Sequence, residues 1–239
     1  MRALGRNRSS RGRRSHHVDG AQVLAEAGSG DAPRSRRFCP RKAIGSALAQ
    51  PGLRRTPEQI LGPFYPVAKP LDQDADLTIV QGKVRRAQGQ IIHLMGRVLD
   101  REGNPVAGAR VEIWQANMHG RYTHPSDSNP APLDPNFEGF AVQTTDAGGR
   151  YRFNSIKPGA YPTGVEGWTR PPHIHFDVSG RIERLVTQMY FDGEVLNDKD
   201  RLLQGAPRKE ALIAKLSPPS AGLEPDSLVV SWDIVLPRG

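Results

Sequence analysis

The stretch ARVEIWQA at 109–116 alternates residue by residue, with Val111, Ile113 and Gln115 on one side and Glu112, Trp114 and Ala116 on the other. Period two belongs to a strand and not to a helix. Strand patterns recur in IIHLMGRVLD (91–100), PHIHFDVSG (172–180), LVTQMYF (185–191) and SLVVSWDIVL (227–236), and 139–156 reads as a hairpin with a glycine turn at AGG. Only 197–216 carries a helical pattern, in two short pieces broken by Gly205 and Pro207. A parallel α/β fold needs a helix after most strands. The 25 glycines and 21 prolines instead supply many tight turns. The expected class is all-β: two antiparallel sheets packed as a β-sandwich, with long loops and short helical pieces.

Charge divides the chain. Residues 1–55 hold thirteen Arg or Lys against three acids, a formal +10, which leaves about −2 for 56–239. Residues 1–35 read as a disordered basic tail, 36–60 as a linker or short helix, and 61–239 as the β-sandwich domain. The tail lacks interleaved aromatics and any zinc-finger or helix-turn-helix spacing, so no nucleic-acid partner is expected. No apolar run is long enough to span a membrane. The single cysteine, Cys39, allows no intrachain disulfide and suits a reducing cytoplasm.

Chemistry centres on His173 and His175, two apart on a strand and therefore on one face. Tyr122 and Tyr161 each stand near glycines at strand–loop junctions, where a side chain can be aimed into a cleft. His119 and His124, on either side of Tyr122, are rival ligands. The HIH run contains no Asp or Glu, which counts against a two-histidine, one-carboxylate ferrous site. A phenol, with its pKa near 10, becomes a good ligand only beside a strong Lewis acid. Hard oxygen donors with imidazole suit ferric iron. Two ordinary strand histidines, or a Zn²⁺ hydrolase site of His173, His175 and His124, stay open on spacing alone. No GxGxxG, P-loop or GxSxG motif is present, which leaves nucleotide binding little support.

In order along the chain stand TPEQILGPFYP (56–66), GNPVAGARVEIWQANMHGRY (103–122), APLDPNFEGF (131–140), TTDAGGRYRF (144–153), IKPGAYP (156–162), WTRPPHIHF (168–176) and TQMYF (187–191). With these pieces the chain resembles the intradiol ring-cleavage dioxygenases, in particular the protocatechuate 3,4-dioxygenase group (beta-chain-like) and its single-subunit relatives. The resemblance implies a β-sandwich holding one non-haem Fe(III), a small aromatic diol and O2 as substrates, and a cis,cis-muconate-type product. It places the metal ligands at Tyr122, Tyr161, His173 and His175, Tyr161 being the one that leaves when substrate binds. It gives Arg170, Gln188 and Tyr161 catalytic roles and puts Trp114, Gly62, Pro63 and Thr163 against the substrate. It also implies a homo-oligomer, or a hetero-oligomer with a similar chain.

Two departures bear on the substrate. Where the heteromeric protocatechuate enzymes carry a tryptophan two residues after the PxYP tyrosine, this chain has Thr163, and Thr169 separates Trp168 from Arg170. The amino-terminal arm of their iron-binding chain is replaced by the basic tail and GPFYP. Protocatechuate keeps a slight edge as the expected substrate, with catechol and hydroxyquinol as alternatives. The segment 96–115 also resembles small non-catalytic sandwich modules, which have no need of Tyr122, Tyr161 and HIH together.

Overall fold

The computed structural model describes residues 52–70 and 73–238. In chain order the elements are β1 (Ile91–Leu99), β2 (Arg110–Trp114), β3 (Phe140–Thr144), β4 (Arg150–Ile156), β5 (Tyr161–Pro162) and β6 (Thr169–Arg170). They continue with β7 (His173–Ser179), β8 (Arg184–Phe191), the one-turn helix α1 (Arg201–Gln204), β9 (Ile213–Ala214), β10 (Leu216–Ser217), β11 (Leu228–Ser231) and β12 (Ile234–Val235). One sheet is built around β1, with β4 on one edge and β11 and β12 on the other. The second has the order β3-β2-β7-β8-β9, and β5 and β6 form a separate ribbon. The β-sandwich expected from strand periodicity is the fold.

Its details depart from the local patterns. The sheets are not wholly antiparallel, because β11 and β12 run parallel to β1, and β9 runs parallel to β8. Residues 139–156 do not form a hairpin: β3 pairs with β2 in one sheet and β4 with β1 in the other. The AGG turn carries the chain between layers, and the Asp146 carboxylate accepts from the Gly148 and Arg150 amides (both 2.8 Å) to close it. SLVVSWDIVL is broken at Trp232–Asp233, where the Arg97 amide donates to the Asp233 side chain (2.9 Å) instead of to a ladder carbonyl. The helical patch reduces to α1 and two 3₁₀ turns, Asn197–Lys199 and Lys209–Leu212, and ends in strand. Gly205 caps α1 after four residues, too few for independent helix stability. Residues 52–60 are extended without helix; the tail and the rest of 36–60, with Cys39, lie outside the described residues.

Strand alternation sorts the second sheet into two working faces. Ile174, Phe176 and Val178 of β7, with Val111 and Ile113 of β2, are wholly buried in the core between the sheets. The Phe176 ring lies 5.0 Å from Trp232 and 6.1 Å from Tyr151. His173 and His175 face the other way, where Trp114, Ala116, Tyr122, Phe140 and Tyr161 form a second, smaller apolar cluster. Phe176→Ala removes a fully buried ring and should destabilise the fold by about 3–5 kcal/mol. Urea unfolding monitored by tryptophan fluorescence reads this as a lower midpoint with the same slope; an unchanged midpoint would place Phe176 outside the core.

Candidate metal centre

On β7 the imidazoles of His173 and His175 bring their Nε2 atoms to 3.2 Å. The His173 Nδ1–H donates to the Pro171 carbonyl (2.8 Å), which leaves Nε2 with its lone pair. His175 pairs across the sheet with Trp114 on one side and Gln188 on the other. The Trp114 indole stacks on the His175 ring at 4.8 Å and 11°. Tyr65 meets that indole edge-on at 5.0 Å and donates to the buried Glu112 (2.7 Å), which fixes the stack from behind. Burial, then the charge of Arg170, holds both imidazoles well below the usual histidine range, and His175 adds to this at His173. Both rings are therefore neutral near pH 7.

Two loops deliver the phenols. Asn117 accepts from the amides of His119 and Arg121, and Asp127 accepts from the Tyr122 amide (2.7 Å), so the loop after β2 is tied to itself. Gly120, at φ 75°, lies so close to the next loop that a Cβ there would come 2.2 Å from the Ala160 carbonyl oxygen. Only glycine permits that approach. Tyr161 opens β5 and sits opposite Arg170 of β6. The two phenol rings meet edge-to-face at 5.4 Å, and Tyr161 lies 5.6 Å from His173 while Tyr122 lies 6.2 Å from His175. Four donor side chains thus close a ring. Burial raises both phenol pKa values, helped at Tyr122 by the neighbouring Tyr161 and opposed at Tyr161 by Arg170.

The guanidinium of Arg170 stands beside this ring, buried. Its Nε donates to Asp200 (2.8 Å), its Nη2 to Gln188 (2.9 Å) and Tyr190 (2.7 Å), and its Nη1 lies 3.2 Å from His173 Nε2. Gln188 donates in turn to the Ile60 carbonyl (2.9 Å). Burial opposes the charge on Arg170, but Tyr190, Tyr161 and Asp200 outweigh it and raise its pKa. Asp200 and Tyr190 were not singled out from sequence. Tyr190 sits two residues from Gln188 on the same face of β8, and Asp200 precedes RLLQ as a helix N-cap should.

Against the ring opens a cavity of about 530 Å³, walled by Gly62, Pro63, Tyr161, Thr163, Trp168 and Arg170 among others. At Gly62, φ 78°, a Cβ would come 3.0 Å from His175 Cε1, so bare backbone lies on the imidazole. The Thr163 hydroxyl is engaged within its own turn, donating to the Trp168 carbonyl (3.0 Å). Trp114 does not line this cavity. It stands behind His175 and borders a smaller one of about 130 Å³, shared with Tyr122 and Phe140.

The donor set fits a hard, highly charged cation. The Tyr122 hydroxyl is buried without a hydrogen-bond partner, and two phenols that burial keeps protonated become anions only if a cation is supplied. Among the described residues no three His, Cys, Asp or Glu side chains gather as a metal site, so a metal here has to draw on phenol oxygens. The trio of His173, His175 and His124 is accordingly not assembled. His124 accepts from the Ser126 amide (3.1 Å) and lies against Phe64, and His119 is exposed.

A family model described as Dioxygenase matches residues 60–238. The protocatechuate 3,4-dioxygenase beta chain of Burkholderia cepacia is 48% identical over 169 residues, 68% of this chain and 71% of that protein. Catechol 1,2-dioxygenase 2 of Acinetobacter lwoffii is 35% identical over 152 residues, and this chain spans about half of its length (52%). Among solved structures, the dioxygenase domain of a dioxygenase carbohydrate-binding protein fusion from Streptomyces sp. SirexAA-E aligns with TM-score 0.59 and 27% identity, covering 78% of this chain and all of that one.

The two neutral buried imidazoles make metal-free stability depend on pH. Their folded pKa values lie below the unfolded value near 6.5, so between the two the unfolded chain binds more protons. Their contribution is complete above about pH 6.5 and is lost as pH falls, at up to about 1.4 kcal/mol per pH unit for each histidine. Chemical denaturation of metal-free protein from pH 7.5 to 5 should show this loss, and His173→Gln should shallow it. An equal slope in wild type and variant would mean that His173 is not buried neutral.

Proposed function

Because this chain belongs to the intradiol ring-cleavage dioxygenase family of enzymes, we propose that it cleaves a catecholic ring with O2 between the two hydroxylated carbons, at one Fe(III) held by Tyr122, Tyr161, His173 and His175. The observation that carries this reading is the ring of two buried phenols and two neutral imidazoles beside one buried guanidinium. Bound there, Fe(III) supplies the Lewis acidity that keeps phenols and diol deprotonated, and it withdraws electron density from the catecholate so that the ring reacts with O2.

The two tyrosines are differently placed for this work. Tyr122 is covered by Phe64 at 4.7 Å and its hydroxyl is sealed, whereas Tyr161 borders the cavity. Tyr161 is thus the phenol that can swing out and accept a proton from an incoming diol. Arg170 Nη1 faces the same space and stabilises negative charge that develops on the opening ring. Gln188 and Tyr190 hold Nη2 so that the guanidinium needs no reorientation. Pro63 and Phe64 wall the cavity and shield the site from water. The product is a cis,cis-muconate-type dicarboxylate.

Protocatechuate is the substrate we favour, on the strength of the Burkholderia beta chain's greater identity, with catechol and hydroxyquinol as competitors. That relative's name as a beta chain supports assembly of this chain with a second copy or a similar chain, and sedimentation velocity tests it. Work in the cytoplasm agrees with a single cysteine. Among the described residues no helix is long and apolar enough to cross a membrane.

Two measurements test the reading. Iron-loaded protein should absorb in the visible through phenolate-to-Fe(III) charge transfer, and Tyr161→Phe should keep iron, change that band and slow anaerobic uptake of the diol. An unaltered spectrum in iron-loaded Tyr161→Phe removes Tyr161 from the metal. In steady state, kcat/KM should be highest for protocatechuate among the three diols; a larger value for catechol or hydroxyquinol overturns the substrate assignment and leaves the reaction class intact.

A further inference from the structure

Asp200 is wholly buried, and both of its oxygens are engaged. Oδ1 accepts from the Leu203 amide (2.8 Å) and caps α1; Oδ2 accepts from Arg170 Nε (2.8 Å). Capping alone does not call for a carboxylate, since Asn caps a helix as well as Asp does. A buried anion is tolerated where a cation and hydrogen bonds answer it, and Arg170 is that cation.

The same arrangement fixes which edge of the guanidinium meets the site. Asp200 takes Nε and lies 3.4 Å from Nη2, which Gln188 and Tyr190 also hold, and Nη1 is left pointing at His173 Nε2. That nitrogen carries the lone pair a metal would use. An uncompensated arginine at this distance would oppose any cation bound by His173 and His175. Without Asp200 its Nε edge would lose its acceptor, and only Gln188, Tyr190 and His173 would hold the guanidinium. From this geometry we infer that Asp200 is a positioning residue for the proposed reaction: it orients Arg170 and neutralises it towards the metal, so that one site holds both a guanidinium and a metal cation. The inference rests on the reading given under Proposed function.

The test is a double-mutant cycle of Asp200→Asn and Arg170→Gln in the full chain, read by iron retention against a chelator, thermal melting and kcat. Asp200→Asn keeps the capping oxygen but leaves Arg170 buried without its counter-ion, so the metal-free protein should melt lower, by about 6–20 °C. It should weaken iron retention and lower kcat, each by about 10–100-fold. Adding Arg170→Gln removes the unbalanced charge. The double variant should therefore hold iron more tightly than Asp200→Asn alone, although kcat stays low. A residue that only supports the fold would make iron retention rise and fall with the melting temperature through the cycle, whereas the inferred role predicts retention lost beyond what the melting shift accounts for. Wild-type iron retention and kcat in Asp200→Asn, or effects that simply add in the double variant, overturn the inference. If wild type binds iron but cleaves no catecholic diol, the proposed reaction fails, and the retention cycle still decides the role of Asp200. A wild-type chain that binds no iron overturns both.

Discussion

Because successive side chains leave a strand on opposite sides, β7 cannot offer His173 and His175 to a site without offering Ile174, Phe176 and Val178 to the core. The apolar face is what holds the polar one still. Close packing against Tyr151 and Trp232 fixes the backbone of β7, and the backbone fixes the imidazoles. Loops 56–66, 117–130 and 157–170 then need only fold onto a rigid floor. A site with this construction keeps its two imidazoles in register even while Tyr161, on a two-residue strand bordering the cavity, has room to move.

Electrical balance is the second constraint. Around the site the imidazoles and phenols are neutral, and the Arg170–Asp200 pair cancels within itself. A cation entering such a neutral enclosure has to generate its own counter-charge by driving protons off the tyrosines. On the proposed reading, metal uptake would be linked to proton release and become more favourable as pH rises. A preformed carboxylate site would attract many divalent ions; a site that must first be ionised favours the strongest Lewis acids.

The sandwich, and the convergence of Tyr122, Tyr161, His173 and His175, were legible in the sequence for different reasons. Alternation at 109–116 and 172–180 reports directly on which side chains share a face. The tyrosines became candidates from their glycine-flanked positions and from family resemblance, since nothing in a lone GRY or AYP states where the loop will go. The AGG turn misled because a tight turn has the same local chemistry whether the chain returns to its own sheet or crosses to the other. The 197–216 patch read correctly as short helical pieces broken at Gly205 and Pro207, but composition could not show that the second is a 3₁₀ turn running into strand. Asp200 escaped notice since its partner is thirty residues away, and only the folded chain brings the helix cap to the guanidinium. Trp114 was assigned to the proper face of its strand, but sequence could not tell the back of an imidazole from the front.

The two-residue ribbon of β5 and β6 links Tyr161 and Arg170 as cross-strand neighbours, yet fastens them unequally. Arg170 is bolted to the sheet and to α1, while Tyr161 hangs from a strand whose far side is the exposed turn 163–168. Exchanging that turn for a longer or bulkier one would reshape the cavity mouth and alter the swing of one phenol, with the strand-borne donors left alone. The turn that borders the cavity and the strand that carries the imidazoles thus occupy separable parts of the chain.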